Sequence, residues 1–304
     1  MRQGDLVVRK SYGKDILFII ESIHRNTAVI IGFDFRLIAD APLQDLEMIA
    51  DIADFEARRK DQDRLQQSMR SLERHRFEQY RKVRSYRGLA TAGDDTWSPI
   101  EPEAHPYFEI PGKVLHLDGD PNYLRKSMAL YEKLRVPVEG HHVAEANMAE
   151  AVRILLPQSR PDIIVITGHD SVLKSQRNSN LYSLSSYKNS GHFANAVMIA
   201  RQYERNRDAL TIVAGACQSH FEALLQAGAN FASSPGRILI HALDPVYIAA
   251  KASFTSIKDT INIYDVINHT ISGMEGLGGI ETRGSYRIGL PKLKYYQNKP
   301  TPNL

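Results

Sequence analysis

Cysteine is almost missing from this chain: one thiol, Cys217, in 304 residues, which excludes an internal disulfide and gives no sign of an oxidising compartment. Long apolar runs are missing too. No stretch approaches the roughly 20 apolar residues of a membrane-spanning helix, and the opening Met1-Arg-Gln-Gly-Asp-Leu6 is polar where a secretory leader is not. A soluble, cytoplasmic protein without a membrane partner is therefore expected. Charge of one sign is also scarce: the net charge is +3, and much of the basic excess lies in one segment, so global charge points to no nucleic-acid partner. Nothing in the pattern asks for a metal or a cofactor. With 43% hydrophobic residues, the chain is long enough for one large domain and a smaller unit.

Within residues 1–48, the short runs Leu6-Val-Val8, Ile16-Leu-Phe-Ile-Ile20, Thr27-Ala-Val-Ile-Ile31 and Phe35-Arg-Leu-Ile38 recur about every ten residues between turns. This is the pattern of a small β-barrel, and the opening Gly4-Asp-Leu-Val-Val-Arg-Lys10 resembles SH3-like modules. It is either a plain scaffold or a site for a partner protein. Residues 49–106 form a second region. From Asp45 to Arg87 there is neither proline nor glycine, and from Asp54 to Arg87 eleven Lys or Arg stand against six Asp or Glu, so a long basic helix is expected. The Gly-, Pro- and Ser-rich stretch at 88–103 reads as an exposed linker, open to proteolysis.

Residues 107–304 alternate strands and helices. Strands are expected at 113–117, 136–138, 162–168, 210–215 and 237–241, with helices at 122–134, 144–156, 191–203, 218–226, 245–252 and 259–271. Repeated βα units imply an α/β fold with a doubly wound, mostly parallel sheet of the flavodoxin-like or caspase-like kind. In such a sheet the carboxyl ends of the strands share one edge. Asp118, His169, Asp170, Cys217 and His241 then converge there.

Cys217 follows Gly215-Ala216, which leave room for a substrate backbone, and the start of a following helix favours thiolate over thiol. His169, 48 residues upstream and just past the neighbouring strand, is the candidate general base. His241 ranks next as a base, and His220 after it. The amides of Cys217 and Gly168 are the candidate oxyanion donors. Asp118 and Asp120 are turn or cap residues, or an acidic pair of the kind that binds metal in phospho-acceptor receiver domains. The segment 171–190 is a lid over the site or a plain surface loop.

Several longer strings are distinctive: Lys113-Val-Leu-His-Leu-Asp-Gly-Asp120, Ile166-Thr-Gly-His-Asp170, Ala214-Gly-Ala-Cys-Gln-Ser-His-Phe-Glu222, Ile240-His-Ala-Leu-Asp-Pro-Val-Tyr247 and Gly276-Leu-Gly-Gly-Ile-Glu-Thr-Arg-Gly284. Together they resemble the YabG family of sporulation-specific cysteine proteases, across nearly the whole chain. The resemblance implies a thiol protease of the mother cell of a sporulating bacterium that trims spore-coat and cortex-associated proteins, cuts after arginine and processes itself. His169 and Cys217 match the family's catalytic positions. A more distant likeness to caspase-like peptidases differs in that Gly168 precedes the histidine rather than following it.

Arginine recognition needs an acid, because an unpaired buried guanidinium costs several kcal/mol. Asp244 is the first candidate and Asp170 the second. Self-cleavage is expected near Arg84 or Arg87. Two other readings stay open: a glutamine amidotransferase-like hydrolase using Cys217 and His241, and a non-enzymatic receiver-like coat-assembly module.

Overall fold

In the computed structural model of the chain, residues 1–49, 67–72, 74, 108–173, 180–268 and 270–289 are described. Five short strands open it: β1 (Leu6–Arg9), β2 (Leu17–His24), β3 (Thr27–Gly32), β4 (Ile38–Pro42) and β5 (Leu46–Met48). They form one antiparallel sheet in the order β4-β3-β2-β1-β5. Alternation turns Val7, Phe18, Ile20, Ala28 and Ile30 to one buried side, as period-two patterning requires. The fourth strand runs from Ile38 rather than over the expected 35–38; Phe35 instead bridges to His241 and Leu37 to Asp170. Residues 67–72 and 74 are helical. The rest of the expected basic helix and the linker lie outside the described residues.

The α/β unit carries β6 (Phe108–Ile110), β7 (Val114–Asp118), α1 (Pro121–Leu134), β8 (Val138–His142), α2 (Met148–Ser159), β9 (Ile163–Thr167), α3 (Ser190–Tyr203), β10 (Thr211–Ala214), α4 (Phe221–Ala227), β11 (Phe231–Ser233), α5 (Asp244–Phe254), β12 (Thr260–Ile261), α6 (Ile263–Asn268), α7 (Gly273–Gly276), β13 (Leu277–Gly279), β14 (Thr282–Arg283) and β15 (Arg287–Gly289). Its main sheet has the order β8-β7-β9-β10-β11-β13, parallel but for the antiparallel edge strand β13. The sheet lies between two apolar layers. Val114, Ile163, Val165 and Val213 face α1 and α5, whereas Leu115, Leu117, Ile164, Ile166 and Ile212 face α2, α3 and α4. Each such buried side chain contributes about 1.5–3 kcal/mol, so both faces must be covered and the strands read as continuous apolar runs.

Four expectations change, the first being the second strand, which is Val138–His142 and not 136–138. The fifth parallel strand is Phe231–Ser233, not 237–241, whose backbone turns to the Cys217 loop and the N-terminal sheet: Gln218 donates to the Ile238 carbonyl (3.0 Å) and Arg36 to that of Ile240 (3.3 Å). The helix after β10 begins at Phe221, not at 218, and is capped by His220. Residues 259–271 hold only the short β12 and α6, not one long helix. No helix among the described residues is long and apolar enough to cross a membrane.

The order 2-1-3-4-5 of the parallel strands places the topological switch between β7 and β9, where open α/β sheets bind ligands. The segments leaving those strands carry Asp118, Asp120 and His169.

Candidate active site

Cys217 stands three residues past β10, and His169 two past β9, the adjacent parallel strand. Paired strands lie about 4.8 Å apart, so the two segments start as neighbours. Side chains then fasten them. Thr167 donates to the Gly215 carbonyl (2.9 Å), and Ser219 accepts from the Ala216 amide (2.9 Å) while donating to Asp170 (2.9 Å). The turn after β10 is tight. Gly215 has φ of +108°, and a Cβ there would sit 2.8 Å from Leu224; Gln218, beside the cysteine, holds a left-handed φ of +55° that non-glycine residues seldom adopt.

The thiol is fully buried, in a cluster with Ile240 and the N-terminal-sheet residues Val7, Phe18 and Ile30. Its Sγ accepts from the Ile240 amide (3.2 Å) and faces the Ile240 carbonyl (3.5 Å). Burial pushes the thiol up to about 12, against the Ile240 contact and the nearby Arg36 charge, which pull it down. The expected thiolate-favouring helix end is thus not what governs Cys217 here: α4 begins four residues on, and desolvation prevails. Alkylation should show it. Iodoacetamide at pH 8 is expected to modify Cys217 at least about a hundredfold more slowly in the folded chain than in urea. The folded rate should keep climbing above pH 9, and equal rates in the two states would contradict the burial.

His169 is 5% exposed and leans on the Tyr123 ring at 5.3 Å between centroids. Its amide donates to Glu145 Oε1 (2.9 Å), and Asn189 donates to its carbonyl (2.8 Å). Nδ1 lies 3.7 Å from Glu145 Oε1 and Nε2 3.5 Å from Asp120 Oδ2; Nε2 has no hydrogen-bond partner among the described residues. Tyr123 belongs to the same cluster. Burial first, then the charges of Asp120 and Cys217, raise its phenol well above the usual value, while its hydroxyl serves the carbonyls of Gly32 and Phe35 (2.6 Å).

The other sequence candidates fall into place around this pair. Asp118 is fully buried and takes both oxygens to Arg36 Nη1 (3.0 and 2.9 Å), whose Nε and Nη2 reach the Ala242 carbonyl. Asp120 caps α1, accepting from the amides of Asn122 (2.7 Å) and Tyr123 (3.0 Å). Asp170 accepts from the amides of Ser171 and Asn189 and the hydroxyls of Ser190 and Ser219, yet burial holds its carboxyl up to about 6. Asp244, also raised by burial, accepts from the amides of Ile271 (2.8 Å) and Ser272 (3.2 Å). His220 caps α4 through Nδ1, and its Nε2 meets the Tyr182 carbonyl. His241 accepts the Leu243 amide at Nδ1. Gly168 stands against Glu145, 2.6 Å from where its Cβ would be. Arg84 and Arg87 lie outside the described residues, as does part of the expected lid; the described part of that segment holds a 3-10 turn, Leu184–Ser186.

Beside Gln218 opens a cleft of about 520 Å³ between the N-terminal sheet and the α/β unit. Its walls include Leu37, Ser171 and Val172 next to the site, and Asp15, Asp40 and Lys188 further out. Sequence reasoning missed Arg36, Tyr123, Glu145 and this cleft. All depend on contacts between distant segments.

A buried cysteine and a buried histidine thus follow adjacent parallel strands of an α/β sheet, with a cleft beside the cysteine loop. The family model of YabG peptidase U57 matches residues 2–291, and the chain belongs to that family. It is 45% identical over 301 residues, 95% of this chain and 97% of the relative, to the sporulation-specific protease YabG of Bacillus subtilis (strain 168). A sporulation protease acting on protein substrates follows from that membership.

Proposed function

We propose that the chain is a cysteine endopeptidase in which Cys217 is the nucleophile and His169 the general base. The observation that supports this is the pair's position just past the paired strands β9 and β10, with a buried imidazole whose Nε2 makes no hydrogen bond among the described residues. In the resting site the thiol is neutral, so the base takes its proton as attack begins. The Cys217 sulfur forms a bond to the scissile carbonyl carbon, and the amides of Cys217 and Gly168 receive the developing oxyanion. The C–N bond then breaks, His169 returns the proton to the leaving amine, and water, deprotonated by the same imidazole, hydrolyses the thioester to acid and free thiol.

The substrates in this reading are spore-coat and cortex-associated proteins, met in the mother cell, with cuts after arginine and self-cleavage near Arg84 or Arg87. The small antiparallel sheet, in its β4-β3-β2-β1-β5 order, supports an SH3-like reading of residues 1–48. The sheet roofs Cys217 and supplies one wall of the cleft. For arginine, Asp244 and Asp170 have their oxygens on amides and hydroxyls of the fold, and neither lines the cleft. Asp15 and Asp40 do, and we assign the guanidinium to them. Asp15→Asn with Asp40→Asn should raise KM for arginine peptides about tenfold or more and spare peptides cut slowly at other residues; an unaltered preference for arginine would refute the assignment.

The function itself is tested by incubating the full chain with arginine-containing peptides under reducing conditions and mapping cuts by mass spectrometry. Wild type should cut and Cys217→Ala should not. Cleavage by both, or by neither, overturns the reading.

A further inference from the structure

The strongest unassigned chemistry lies behind His169. Glu145 belongs to the 3-10 turn Glu145–Asn147 between β8 and α2, and its carboxylate reaches across the sheet edge. Both segments that frame it are glycine there. A Cβ at Gly119 or at Gly168 would collide with this carboxylate, so the two glycines form the slot that admits it. Inside the slot Oε1 accepts the His169 amide at 2.9 Å and stands 3.7 Å from Nδ1 of the same residue.

The two acids beside the ring differ in duty. One oxygen of Asp120 caps α1, which by itself explains that residue's presence. Glu145 caps no helix, and the acceptor it turns to His169 lies on the Nδ1 side. Burial alone would raise the Glu145 carboxyl, yet its bonds to His169 hold it below the ordinary value. Asp120 Oδ2 stands 3.5 Å from Nε2 without making a hydrogen bond to it, so the ring has an acid on each side; with Nδ1–H turned to Glu145, Nε2 keeps its lone pair. That is the nitrogen a base needs free.

We propose that Glu145 is the positioning residue of the reaction, fixing the tautomer and orientation of His169 and stabilising its imidazolium, so that the site works as a Cys217–His169–Glu145 triad. This rests on the reading of His169 as general base. The 3.7 Å separation is a resting one, of the kind that closes to hydrogen-bond length in the substrate complex.

Glu145→Gln keeps the size and an oxygen for the His169 amide but removes the charge. On peptide substrates kcat should fall at least about tenfold with KM nearly unchanged, and the acid limb of the pH–kcat profile should move down by about 1 pH unit, because the imidazolium loses its anion. Glu145→Asp should restore part of kcat and the wild-type acid limb. A second readout needs no cleavage: in Cys217→Ala protein with labelled histidine, removing the anion in Glu145→Gln should move the His169 NMR titration to lower pH. Wild-type kcat and pH profile in Glu145→Gln, or an unmoved His169 titration, would overturn the proposal. If the wild type cuts no peptide, the peptidase reading fails by itself, and the titration still decides whether Glu145 acts on His169.

Discussion

Cys217→Ala is expected to remove peptide cleavage altogether, and His169→Ala to lower kcat by about 10²- to 10⁴-fold, with the fold kept in both. The asymmetry has a reason. Without sulfur there is no acyl intermediate, whereas without the imidazole a small thiolate fraction still attacks. That fraction is minute at neutral pH because burial pushes Cys217 up to about 12. The residual rate of His169→Ala should therefore rise with pH well past 9, unlike that of the wild type. Folding should survive, since Cys217→Ala removes one sulfur from a cluster that includes Val7, Phe18, Ile30 and Ile240, and the His169 ring stands against Tyr123, Asp120 and Glu145 while its backbone bonds to Asn189 and Glu145 are kept by alanine. Circular dichroism and urea denaturation check the fold; loss of activity with loss of structure would leave the catalytic assignments unsupported, and unchanged cleavage would reject them.

The largest stability effect is expected from Arg36→Ala, about 3–5 kcal/mol by urea denaturation. Arg36 and Asp118 are both fully buried and joined through two contacts near 3 Å. Burial alone would push Asp118 up, but the guanidinium, His116 and the Asp120 amide outweigh it and hold the carboxyl below its usual range. Removing the arginine strands that carboxylate without its partner. The sign with pH follows: a depressed carboxyl contributes stability that is complete above the unfolded value of 3.8 and is lost as pH falls below it. The deficit of Arg36→Ala should accordingly shrink in acid, and Arg36→Met with Asp118→Leu should cost less than the two single changes summed. A loss under about 1 kcal/mol near neutrality would mean that the pair contributes little.

What could be read from the sequence follows from how far apart the interacting groups lie. The cores of β7, β9 and β10 were legible because parallel strands covered on both faces are continuous apolar runs, and Cys217 and His169 stood at their ends. The run Ile238-Leu-Ile240 misled for the same reason. It is as apolar as a strand, but its backbone serves Gln218, Cys217 and Arg36, while the true fifth strand, Phe231–Ser233, is too short to stand out. Arg36 was hidden because its partners lie 82 and 206 residues away. Glu145 sits in a turn with no periodicity, and only the glycine slot gives it meaning. Asp170 and Asp244 have the chemistry that arginine asks for, and that the fold's own amides and hydroxyls occupy their oxygens is invisible in a linear pattern.

The bonds from Arg36 to Asp118 and Ala242 also bear on how the chain is made. During synthesis the N-terminal sheet leaves the ribosome first, at about 5–20 residues per second. Its roof over Cys217 and its guanidinium socket stay incomplete until residues up to 242 have followed. A chain shorter than that lacks the assembled pocket around Cys217. The enclosure of Cys217 thus ties its pocket to the synthesis of residues more than 200 positions downstream of Arg36, a form of timing written into contact distance.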